Sequence, residues 1–182
     1  MLRLTESQLA QVPICELLLN SCRMSRLAGH LQIAWAYLVE AKALNVNHFE
    51  VAMEEARFLF EKGNQTQAIS ILSNLLEERF GAKTKQLQSV IEQQKKQTDI
   101  NHTQLREALK SEPKEEKDNF VKVQLLLADY SLKAGACSFS DLYYKYHALP
   151  LIADPSEDLY YRVAIFLDNY LYSKHQVGVL LF

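Results

Sequence analysis

The sequence predicts an all-α protein, an α-solenoid of helical hairpins. Three observations predict it. Glycine and proline are scarce, five and four in 182 residues, while the good helix formers Leu, Ala, Glu, Gln and Lys abound. Apolar residues recur at helical rather than strand spacing. One short pattern also occurs twice. "GHLQIAWAYL" from Gly29 and "GNQTQAISIL" from Gly63 both read glycine, four residues, alanine, then an apolar stripe.

Pro13 suits the first turn of a helix, where its missing N–H costs nothing. A helix is therefore expected over Ile14 to Leu27, with Leu17, Leu18, Cys22 and Leu27 facing inward and Gly29 ending it. The second runs from His30 to Ala43 on Leu31, Ala34, Trp35, Leu38 and Ala41. The turn "LNVNH" leads into the third, Phe49 to Lys62, striped by Phe49, Ala52, Met53, Ala56, Leu59 and Phe60. Gly63 stands where a C′ residue with positive φ is wanted. Gln65 to Arg79 is the fourth, on Ala68, Leu72, Leu75 and Leu76, with Gly81 closing it. Ala34 and Ala68 share an offset from their glycines and are small enough to let neighbouring helices approach. Trp35, Phe49, Phe60 and Leu72 are the candidate core fillers.

Gly29 and Gly63 stand 34 residues apart. A 34-residue helix–turn–helix period is that of tetratricopeptide repeats. The full signature is absent, because Trp35 is off its tryptophan position and the closing proline is missing. The units are therefore read as tetratricopeptide-like hairpins, two of them in residues 1–82.

Residues 83–119 form a connector with eight basic and seven acidic residues and few large apolar ones. A long exposed helix or a mobile link interrupted near "SEPKEEKD" is expected there. Residues 120–182 return to helix, on Phe120, Val123, Leu127 and Tyr130, with Gly135 as the stop. A tyrosine-rich helix from Phe139 to His147 follows. "LPLIADPSED" reads as a loop in which Ser156 caps the last helix. The apolar tail "VGVLLF" would be a sticky end, so the chain is expected to be cut from something longer.

The net charge of −2 argues against a general nucleic-acid binder, which would be basic. No apolar run reaches the ~18 residues that a membrane span needs, and the N-terminus lacks a secretory h-region. Three cysteines without a CxxC pair fit a reducing compartment. Glycines this far apart exclude a P-loop, a GxGxxG turn and a kinase glycine-rich loop. The five histidines fall singly, without metal-ligand spacing. Ser138, Ser140, Asp141 and His147 lack a nucleophile elbow. Glu54-Glu55, Glu77-Glu78 and Glu115-Glu116 are adjacent and do not face each other on a helix, so they read as solvated faces. The tyrosines Tyr143, Tyr144, Tyr146, Tyr160, Tyr161, Tyr170 and Tyr172 read as inter-helix packing, since a base-stacking platform wants interleaved cations. No catalytic residue, cofactor site or metal ligand is expected in this chain.

Two blocks carry a family resemblance. In "SCRMSRLAGHLQIAWAYLVEA" the matching residues are Arg26, Ala28, Gly29, His30, Gln32 and Ala34. In "VAMEEARFLFEKGNQTQAISILSNLL" they are Glu55, Ala56, Leu59, Phe60, Lys62, Gly63, Gln67, Ala68 and Leu72. A third stretch, "YYKYHALPLIADPSEDLYYRVAIFLDNYL", adds Tyr144, Lys145, Tyr146, Asp158, Tyr161, Ala164, Phe166, Asp168 and Leu171. Together they resemble the FAT domain of the phosphatidylinositol 3-kinase-related protein kinases, nearest to the ATR-like checkpoint branch, over roughly Ser21 to Tyr172. Phe60 stands where the family usually has Trp.

The resemblance implies a non-catalytic helical scaffold within a very large nuclear serine/threonine kinase. Such a parent acts on Ser-Gln and Thr-Gln sites after DNA damage or replication stress. It uses ATP with Mg or Mn and needs an obligate partner subunit. Cofactors would belong to the parent. The partners expected of this segment are the rest of the kinase and that subunit, with no nucleic acid and no membrane. Of the Ser/Thr-Gln pairs at Ser7, Thr66 and Thr103, Thr103 is the candidate phosphosite. The alternative is a stand-alone tetratricopeptide-like adaptor that binds a peptide. It would want a polar, well-capped last helix, and "VGVLLF" is the opposite.

Overall fold

The computed structural model describes residues 6–95, 113–152 and 157–179. All regular structure among them is helical: α1 (Glu6–Leu27), α2 (Leu31–Ala43), α3 (His48–Glu61), α4 (Gln65–Lys95), α5 (Lys114–Lys133), α6 (Phe139–Ile152) and α7 (Glu157–Val179). The chain divides into two compact units, one ending at Leu75 and one beginning at Leu76, with the division inside α4.

In the first unit α1 pairs closely with α2, and α3 packs on both. Close pairing follows from small residues: Ala34, Ala41, Ala56 and Ala68 are each fully buried. Around them lie Cys15, Leu19, Cys22, Leu38, Met53 and Leu72.

Helices α1 and α3 end in the same way. Gly29 donates its N–H to the Arg26 carbonyl at 2.9 Å and His30 to that of Ser25 at 2.8 Å. Gly63 donates to Phe60 at 3.1 Å and Asn64 to Leu59 at 2.8 Å. These paired bonds are the Schellman stop, and the C′ residue must then be left-handed. The φ values, +81° at Gly29 and +93° at Gly63, meet that demand at no steric cost. The same bonds recur after α5, at Gly135 and Ala136. Between α2 and α3 two asparagines, Asn45 and Asn47, take positive φ instead, as short polar side chains do.

Several expected boundaries are corrected. Helix α1 begins before Pro13, which lies inside it on an exposed face, where water can satisfy the carbonyl that proline strands. Gly81 does not close α4. The chain kinks at Phe80 (φ −127°, ψ 19°) and resumes helix to Lys95. Gly81 lacks the positive φ that a stop requires. The helix thus runs on into the charged stretch after residue 83, where a long helix was one of the two forms expected, and residues 96–112 lie outside the described residues. "LPLI" is not loop either, since α6 runs through Pro150 to Ile152, anchored by the buried Ala148 and Leu149. Ser156 lies outside the described residues.

In the second unit α6 packs on both α5 and α7. Phe80 and Phe120, each 1% exposed, meet edge to face at 5.5 Å. Helix α5 is buried on much of its circumference, with Phe120, Val121, Val123, Leu125 and Ala128 all inside.

Candidate functional site

Five charged groups of the first unit meet where α1 and α3 pack. Helix α1 brings Arg23 and Arg26, three apart and so on one face. Helix α3 brings Glu54, Arg57 and Glu61, also on one face. Arg26 Nε donates to Glu54 Oε1 at 2.8 Å, and its Nη1 donates to Glu61 Oε1. Arg57 Nη1 donates to the other Glu54 oxygen at 3.1 Å, and Arg23 Nε lies 3.8 Å from that oxygen. The side chains of Arg26 and Glu54 are 6% and 1% exposed.

Three arginines thus surround one buried carboxylate. Arginine suits the place because its planar fork can bridge two acids without losing its charge. Loss of hydration pulls the Arg26 pKa down, but the hydrogen bond and charge of Glu54, with the charge of Glu61, outweigh it and raise it. Cys22 lies beside the cluster with no exposed surface. Burial first, and the Glu54 charge second, push its thiol up to about 11.

The structure corrects the reading of Glu54-Glu55 as a solvated face. Glu55 pairs at the surface with Lys42 at 2.7 Å, whereas Glu54 is interior. The cause is that α3 is enclosed on several sides, with Phe49, Val51, Met53, Ala56, Phe58 and Leu59 all buried. The run "VAMEEARFLF" shows that the helix is largely apolar, but both acids share it, so it does not tell Glu54 from Glu55.

Of the sequence-derived structural residues, Gly29 and Gly63 occupy the two matching turns, and Ala34, Ala68 and Leu72 are fully buried. Trp35 is a correction. It is 44% exposed and lies at the rim with its ring 5.3 Å from Phe58. Leu17 and Leu27 are likewise exposed, and Cys15, Leu19 and Cys22 form the inner face of α1. Thr103 lies outside the described residues.

In the second unit the tyrosines divide. Tyr146 stacks on Phe166 with centroids 3.9 Å apart and donates its hydroxyl to Asp129 Oδ1 at 2.5 Å. Burial, then that bond, raises its pKa. Tyr143 stacks on Tyr170 at 5.2 Å, while Tyr160, Tyr161 and Tyr172 are exposed. Lys145 loses enough hydration that its ammonium falls to about 8. Among the described residues no group of three His, Cys, Asp or Glu is arranged to hold a metal ion, and no helix is long and apolar enough to cross a membrane.

The chain is 27% identical over 139 residues to the serine/threonine-protein kinase ATR of Caenorhabditis elegans. The aligned part takes in 72% of this chain and 5% of that kinase. The chain therefore spans about one-twentieth of its relative's length. No protein-family model matches the chain, and no solved structure does. The similarity is distant, and it is to a segment of a phosphatidylinositol 3-kinase-related kinase.

Proposed function

We propose that this chain is a scaffold segment of the FAT region of an ATR-like serine/threonine kinase, built from tetratricopeptide-like hairpins. The observation that carries this reading is the distant similarity to ATR over 72% of the chain. The first unit supports it. Arg26 belongs to the first block of resemblance, and its partners Glu54 and Glu61 lie within the second stretch. Both blocks meet in one cluster, and each contains one of the two matching glycine turns.

In this reading the segment performs no chemistry. Stacked hairpins bury a continuous core against their neighbours, and a charged cluster in that core fixes how α1 sits on α3. The segment would brace the catalytic domain and relay the binding of an obligate partner subunit to it. ATP, Mg or Mn, Ser-Gln and Thr-Gln substrates, checkpoint signalling and nuclear residence belong to the parent kinase under this proposal.

The test is to isolate the endogenous polypeptide with an antibody against the exposed face of α1. Its mass is then measured, along with its phosphotransfer to a Ser-Gln peptide. A very large polypeptide with that activity is the expected result. A species of 20.9 kDa, monodisperse and with a sharp melt, would sink the proposal and favour the free-standing adaptor.

A further inference from the structure

Three arginines meet two carboxylates where α1 packs on α3, and the outer two arginines leave most of their donors unspent. Arg26 bridges the two acids. Among the described residues Arg57 donates only Nη1, to Glu54 Oε2 at 3.1 Å, and its side chain is 26% exposed. Arg23 Nε lies 3.8 Å from that same oxygen, too far for a hydrogen bond. The one hydrogen bond of Arg23 is a long contact of 3.4 Å to Asn20 on its own helix, and its side chain is 44% exposed. We propose that Arg23 and Arg57 together bind a phosphoryl group, carried by a phosphorylated side chain of another protein segment.

A guanidinium offers five N–H groups in a rigid fork. Because Arg23 and Arg57 approach one oxygen of Glu54, the two forks are neighbours although they come from different helices. A planar carboxylate matches a single fork. A phosphoryl group has three acceptor oxygens in a tetrahedron and can take bonds from two forks at once.

The charges favour an anion there. Arg23, Arg26 and Arg57 against Glu54 and Glu61 leave one positive charge unmatched. The next acids on these two helices are Glu16, two turns before Arg23, and Glu50, two turns before Arg57. Two turns are about 10 Å, more than the Debye length of about 8 Å at physiological salt. Glu55 is taken up by Lys42 at 2.7 Å. Glu6 opens α1, about 25 Å from Arg23 along the helix.

The site is also held in place. Glu54, which gathers the arginines, is 1% exposed and accepts from Arg26 at 2.8 Å. Part of the cost of ordering two long side chains is therefore met by folding, before any ligand arrives. All of these residues belong to the first unit, so the site exists whether or not the chain is part of a kinase.

The test uses the full 182-residue chain and a fluorescein-labelled peptide with one phosphoserine among glycines and serines, read by anisotropy. Two control peptides carry serine or glutamate in its place. The expected result is saturable binding of the phosphopeptide, with a Kd on the order of 100 micromolar. Binding should weaken about tenfold for both controls and for the double variant Arg23→Gln/Arg57→Gln. Arg23→Lys/Arg57→Lys should also weaken it, because lysine keeps the charge but loses the fork. Thermal melts by circular dichroism show whether the variants fold. Should the double variants not fold, Arg23→Gln alone, at an exposed position, is expected to weaken binding about threefold. Absence of saturable binding overturns the proposal, and so does equal binding of the serine or glutamate peptide. Unchanged affinity in Arg23→Gln overturns it as well. Inorganic phosphate competing as tightly as unlabelled phosphopeptide would do the same, by making this a site for free phosphate.

Discussion

Arg26 and Glu54 are 28 residues apart in sequence and 2.8 Å apart in space. The pair ties the last turn of α1 to the middle of α3, where water is excluded. Two charges in such a place are costly to desolvate, and their mutual attraction offsets the cost only with good geometry and further partners. Glu61 and Arg57 supply those partners. The pair's value is then in specifying one arrangement of the two helices rather than in net stability.

Arg26→Met should destabilise the first unit by about 3 kcal/mol, because it strips Glu54 of its most buried partner. The double variant Arg26→Met/Glu54→Leu should recover most of that loss, since no buried charge is stranded. Urea unfolding of the three chains measures both. An unchanged midpoint for Arg26→Met would show that the cluster carries no weight.

Gly63→Val should cost about 1–2 kcal/mol through backbone strain at φ +93°. Crowding of the Cβ does not add to that cost, because a Cβ there would meet nothing within 4 Å. Gly63→Asn should therefore lie closer to the parent chain than Gly63→Val. Gly81→Ala should raise stability by about 0.5–1 kcal/mol, having neither positive φ nor a neighbour within 4 Å. Thermal melts would rank the three. A melting temperature for Gly63→Asn below that of Gly63→Val would refute the strain argument.

Cys22 gives a pH signature. Its thiol rises from 9.0 to about 11 on folding. Between those values the unfolded chain ionises while the folded one keeps its proton. The stabilising contribution is thus complete below pH 9 and lost as pH rises through 11. Tyr146 is raised too and adds its own loss above pH 10. Cys22→Ala should flatten the fall in stability between pH 9 and 11. At pH 8, iodoacetamide should modify Cys137, which is partly exposed, before the buried Cys15 and Cys22. Peptide mass mapping reads the order.

Lys145 works in the opposite sense. Burial lowers its ammonium from 10.5 to about 8, so the folded chain carries the full cost of that charge below pH 8. As pH rises from 8 to 10.5 the folded group sheds its proton first, and stability rises. Lys145→Met should raise the urea midpoint at pH 7 and raise it less at pH 10. An equal gain at both would assign the effect to packing alone.

The helical class, the stops near Leu27 and Glu61 and the small residues Ala34 and Ala68 were legible in the sequence. Each depends on local chemistry within a few residues. A C′ glycine is needed wherever a Schellman turn forms, and helical apolar spacing is read over one or two turns. Phase was less legible. Leu17 and Leu27 lie outside while Cys15, Leu19 and Cys22 lie inside, because "CELLLNSCRMSRL" offers two apolar stripes and only the partner helices choose between them.

The prolines and Gly81 show the limit of local punctuation. Pro13 and Pro150 stay inside helices, next to the buried Cys15 in the first case and the buried Ala148 and Leu149 in the second. The chain passes Gly81 as helix after a kink at Phe80, whose ring is held against Phe120.

The sequence by itself determined that this chain folds as helices and where most of them stop, because backbone propensity and turn geometry are short-range. It also carried the resemblance to a kinase scaffold. Only the tertiary structure decided that Glu54 is buried while Glu55 is not, that Arg26 bridges two acids, and that Trp35 stands at a rim. Those outcomes depend on which surfaces exclude water. That is a property of several helices together, and no window of one of them contains it.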